Sequence, residues 1–143
     1  MTRRPKPPRS HNTADTVEKH VVPGLRGRLE AARLDLLALF RALDSLLLGQ
    51  RQPPELRALM ELDGDLAEAL AVLDRAPAGL DLPAMIRDTL ASLDQIAAAR
   101  QAFVATLPPA DRDRLALRSQ VVRATLDPRE AYTHIPGRDP RLR

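Results

Sequence analysis

The chain contains no cysteine and no tryptophan, and its aromatic residues are limited to Phe40, Phe103 and Tyr132. Without cysteine there is no disulfide, no thiolate metal site and no thiol nucleophile. With aromatics at 2%, a core must be built from leucine, alanine and valine, which favours packed helices over a sandwich or barrel. Long apolar runs are missing as well. The richest stretch, residues 34–48, is interrupted by Asp35, Arg41 and Asp44 and falls short of the ~20 apolar residues a membrane helix needs. No apolar stretch follows Arg3–Arg4, so the pair does not read as an export signal. The expectation is a soluble, cytoplasmic protein with no membrane partner.

Lysine is scarce: Lys6 and Lys19 stand against 20 arginines. The Arg, Ala, Leu and Pro bias reads as a GC-rich, bacterial-like coding background. The net charge of +3 is unevenly spread. Residues 1–13 carry +4 through Arg3, Arg4, Lys6 and Arg9 with no acid, residues 127–143 carry +1, and residues 14–126 carry −2. The basic character therefore belongs to the ends, and the body between them is mildly acidic.

At 143 residues the chain fits one domain. Residues 1–12, with Pro5, Pro7 and Pro8 and no apolar anchor, are predicted to be a mobile basic arm. Asn12 or Thr13 can cap a short helix carrying Val17, Val21 and Val22 that Pro23–Gly24 ends or kinks. A long helix follows, with Leu25, Leu29, Ala32, Leu36, Phe40, Leu43 and Leu47 at helical spacing and Gly49 as its C′ stop. Pro53–Pro54–Glu55 opens a second helix with an apolar face of Leu56, Leu59, Met60, Leu66, Leu70 and Leu73. Pro83 opens a third, whose stripe is Ile86, Leu90, Leu93, Ala97, Val104 and Leu107, flanked by Met85, Ile96 and Phe103. Pro108–Pro109 launches a fourth that ends near Leu126. Short connections make neighbours antiparallel. The predicted architecture is all-α: an up-down-up-down four-helix bundle over residues 13–126, with a short N-terminal helical extension and basic, proline-containing tails. The C-terminal tail is residues 127–143.

Catalytic patterns are missing. The three histidines, His11, His20 and His134, have no second ligand at i+3 or i+4, short of the three or four convergent ligands a metal requires. None of the four serines sits in a glycine-framed turn, and no glycine-rich loop has the flanking strand of a phosphate cradle. The expectation is therefore no catalytic residue, no metal ligand and no cofactor.

What remains points to binding. The first helix is apolar over more than one stripe, so Leu39 and Leu48 are predicted to face outward as part of a patch for a protein partner or for self-association. Glu61, Asp65 and Glu68, spaced by four and three, form an acidic stripe on the second helix. It reads either as a dock for a basic partner or for the chain's own arginine-bearing ends, or more simply as a solvated face. Tyr132 and Ile135 are two apolar groups in the C-terminal tail that either pack back on the bundle or insert into another protein. The leading expectation is a non-enzymatic interaction protein, such as an adaptor, assembly factor or small helical subunit. The alternative is an accessory nucleic-acid-associated subunit contacting phosphates through Arg3, Arg4, Lys6 and Arg9.

Overall fold

The computed structural model describes residues 22–75 and 78–133, and these residues are all-helical. The helices are α1 (Val22–Ser45), α2 (Pro54–Arg75), α3 (Leu82–Ala105), α4 (Pro109–Thr125) and a single turn, α5 (Glu130–Thr133). The basic arm, the short helix expected near residues 13–22 and the tail from His134 onward lie outside the described residues.

Helix α1 is the centre of the core. It packs against α2 and α4, with α5 laid across it, while α3 stacks mainly on α2 and touches α1 lightly. Eleven of its 24 residues are buried, including the contiguous run Leu36, Leu37, Ala38, Leu39 and Phe40. Contiguous burial requires neighbours on more than one side of the helix. This corrects the placement of Leu39, which is only 1% exposed and belongs to the core. Leu48 is half-buried and packs against the same core, so neither residue offers a free outward patch. Among the described residues the large apolar side chains that stay exposed are Leu47, Leu117, Val121 and, in part, Tyr132.

The end of α1 also departs from expectation. Leu47 N–H bonds to the Asp44 carbonyl at 3.1 Å and Leu48 N–H reaches back to Leu43 at 2.9 Å, the paired bonds of a Schellman stop. The C′ residue is therefore Leu47, at φ 61°, and not Gly49. This left-handed turn swings Leu48 onto the core beside Leu43 while leaving Leu47 in solvent. Gly49 follows in a close turn, where an added Cβ would lie 3.6 Å from Leu43 and from Leu56.

In α2 the buried positions are Leu56, Leu59, Asp63, Leu66, Leu70 and Leu73, alternating by three and four. Met60 is only half-buried, and an aspartate occupies the middle of the apolar line. In α3 the deepest residues are Thr89, Ile96 and Phe103, seven apart. Ile86, Leu90 and Leu93 are half-buried, and Ala97 is exposed. The burial axis is rotated from the expected stripe because α3 is covered chiefly from one side, by α2. Its start is set by Asp81, whose carboxylate accepts from the Ala84 N–H at 3.1 Å, with Pro83 in the first turn.

Candidate functional site

Two sets of charged groups stand out on α2, and their surroundings differ. The first is buried. Arg33 and Asp63 are 3% and 1% exposed. Arg33 Nε and Nη2 donate to the two Asp63 carboxylate oxygens at 3.0 and 3.3 Å, and Nη1 donates to the Ala131 carbonyl at 2.6 Å. One guanidinium thus ties α1, α2 and the C-terminal turn together. Its planar fork suits this geometry in a way that a lysine would not. Sequence reading missed the pair, although a signal was present: Asp63 sits midway between Leu59 and Leu66 in the α2 stripe, and Arg33 sits midway between Leu29 and Leu37 on α1.

The C-terminal turn has further ties. Asp127 accepts from the Arg129 N–H at 2.9 Å, and Glu130 accepts from the Asp127 N–H at 3.0 Å. These are reciprocal bonds of the capping-box kind. Hydrogen bonds from the Arg129 side chain and N–H hold the Asp127 carboxyl at about 2. Burial alone would raise the Glu130 carboxyl, but hydrogen bonds from Arg41, at 2.9 Å, and from the Asp127 N–H outweigh it and hold the group below its ordinary value. Tyr132 donates its hydroxyl to Glu30. Burial, reinforced by that bond and the Glu30 charge, pushes the phenol up to about 12. Tyr132 thus lies against α1, whereas Ile135 lies outside the described residues.

The second set lines a groove of about 480 Å³ at the seam between α2 and the start of α3. Its floor and walls are Leu66, Ala69, Leu80, Ala84 and Met85, and its acidic groups are Asp65, Glu68, Asp81 and Asp88. Among the described residues no lysine, arginine or histidine lines it. Asp81 is occupied in capping α3, and Asp88 faces Arg87 loosely at 3.9 Å. Asp65 and Glu68 are exposed, and among the described residues no side-chain hydrogen bond or ion pair engages either of them. Glu61 is exposed on α2 but is not part of the groove. The structure thus joins two of the three acids in the predicted stripe to Asp81, which caps α3, and Asp88, within it.

A smaller recess of about 210 Å³ lies where α4 meets α1, lined by Asp35, Ala38, Arg100, Ser119 and Arg123 among others. Arg123 and Asp35 are paired across it at 2.8 Å, and the buried Ser119 hydroxyl has no partner among the described residues. Arg3, Arg4, Lys6 and Arg9 fall outside the described residues, as do all three histidines.

Among the described residues no group of three or more potential ligands is placed to hold a metal ion, and no helix is long and apolar enough to cross a membrane. Compared with protein-family models, curated proteins and solved structures, the chain finds no match in any of the three.

Proposed function

We propose that the chain is a non-enzymatic protein-interaction module: an antiparallel four-helix bundle that presents the α2–α3 groove to a basic segment of a partner protein. The observation that carries this reading is the pair Asp65 and Glu68, exposed beside an apolar floor with no cation among the described residues to neutralise them. A floor of leucine, alanine and methionine takes small apolar side chains, and methionine adapts to irregular ones. The rim acids attract arginine or lysine and steer its approach, an effect that salt weakens. An adaptor, an assembly factor and a small subunit of a complex all fit this chemistry.

The test is fluorescence anisotropy of a short labelled Arg/Leu peptide titrated with the full chain and with an Asp65→Lys/Glu68→Lys variant. Saturable binding to the full chain that is lost in the variant supports the reading. Equal behaviour of the two chains contradicts it. The nucleic-acid alternative rests on the terminal segments, because the described residues hold sixteen acidic against fourteen basic side chains. Steeply salt-dependent binding of a labelled DNA duplex to the full chain, with no peptide binding, would shift the reading to that alternative.

A further inference from the structure

Among the described residues no cation lines the groove, and the same chain holds a dense set of them. Residues 1–13 carry Arg3, Arg4, Lys6 and Arg9 with no acidic residue among them. We propose that this basic arm is the resident occupant of the α2–α3 groove, so that a partner's basic segment must displace it. The proposal rests on the reading of the groove as a site for a basic segment.

Three observations support the arm as the occupant. The first is charge: a +4 segment free of acids meets a groove whose described lining has four carboxylates, with Asp65 and Glu68 unengaged by any described residue, and no basic group. The second is position. Arg26, in the first turns of α1, donates to the Leu73 carbonyl at 3.1 Å, so α1 begins beside the C-terminal end of α2. Glu68 and Asp65 lie five and eight residues back along α2, roughly 8–12 Å at the helical rise, and reaching the outer seam adds about one helix diameter of ~10 Å. The third is reach. Twelve residues separate Arg9 from Val22; they span up to about 40 Å when extended and still about 25 Å with residues 13–21 in the helix expected from sequence, enough for the path required. Tethering also supplies an effective concentration in the millimolar range. Ionic contacts too weak to hold a free peptide can therefore keep the arm in place.

Lysine scarcity makes the contact directly readable. Lys6 is the one lysine in the arm and Lys19 the only other in the chain, so zero-length carbodiimide coupling of lysine to carboxylate, mapped by mass spectrometry on the full chain, gives few and assignable products. The expected result is Lys6 joined to Asp65, Glu68 or Asp88 within one molecule. That product should disappear near 0.5 M salt, where the Debye length falls to about 4 Å. Coupling of Lys6 to acids elsewhere, such as Asp111 or Asp113, overturns the proposal, as does coupling only between isotopically distinct copies or no Lys6 product at all. A second reading uses an Arg3→Glu/Arg4→Glu/Arg9→Glu variant, which should bind the Arg/Leu peptide about three- to tenfold more tightly than the parent chain once the internal competitor is removed. Equal affinity overturns the arm's occupancy and leaves the groove as a partner site. Lys6 coupling to Glu68 without peptide binding by either chain keeps the arm in the groove and overturns the partner reading instead.

Discussion

Asp63 and Asp65 are two residues apart on the same helix and meet opposite surroundings. Asp63 points into the core, 1% exposed, and its charge is neutralised by a two-pronged contact with Arg33. Asp65 opens onto the groove with Glu68, and no described cation meets either. A buried charge persists only when paired and hydrogen-bonded, so Asp63 is committed to the fold. An exposed carboxylate pays no such penalty and costs the fold little if changed. The register of α2 therefore sorts its acids into one that holds the structure and others that are free to meet a ligand.

The largest expected effect comes from breaking the buried pair. Asp63→Ala leaves Arg33 charged and unmatched in the core, and chemical denaturation should show a loss of about 3–5 kcal/mol. Leu39→Ala should cost about 2–5 kcal/mol as a core deletion. An unchanged stability would return Leu39 to the surface. Two replacements should raise stability, each by about 1 kcal/mol. Leu47→Gly relieves a left-handed leucine that is 64% exposed. Gly64→Ala fills a mid-helix position where a Cβ meets nothing within 4 Å. Asp65→Lys/Glu68→Lys should move stability by no more than about 0.5 kcal/mol while abolishing peptide binding. A large destabilisation there would erase the contrast with Asp63.

The C-terminal turn gives a comparison in pH. Tyr132 is the one tyrosine in the chain, so its ionisation can be followed by absorbance without interference. A docked phenol should titrate near 12, a free one near its ordinary value of 10.0. Because docking raises this value, its contribution is complete below pH 10 and is lost as pH climbs through the folded value. Glu130 has the opposite sign. Its value is lowered from 4.5, so its contribution is present above that pH and fades as acid brings it through the folded value. Docking of α5 should therefore loosen at both extremes, and a Tyr132 midpoint near 10 would contradict it.

Much of the fold was legible because leucine periodicity and proline punctuation are local signals. Pro54, Pro83 and Pro109 mark helix starts through their fixed φ and missing N–H, and the burial of Leu25, Leu29, Leu36 and Phe40 follows from spacing alone. The departures have tertiary causes. Leu39 looked superfluous to one apolar face, but α1 is covered from several sides. The α3 stripe turned because only α2 covers it fully. Leu47 takes the left-handed position because the gain from seating Leu48 outweighs its strain. Arg33 and Asp63 read as interruptions of two separate stripes, and their pairing depends on the register between α1 and α2. The candidate site was half legible. Asp65 and Glu68 stand out on α2, whereas Asp81 and Asp88 join them only through the packing of α3.

The most direct test of the division between structural and available charge is an NMR titration of the isotopically labelled full chain with excess Arg/Leu peptide. Amide shifts in residues 65–69 of α2 and 80–92 at the start of α3, accompanied by those of the displaced arm, residues 1–13, with the amides of Arg33 and Asp63 unmoved, are the predicted result. Shifts centred on Leu117 and Val121 of α4, or no saturable shifts, would contradict the account.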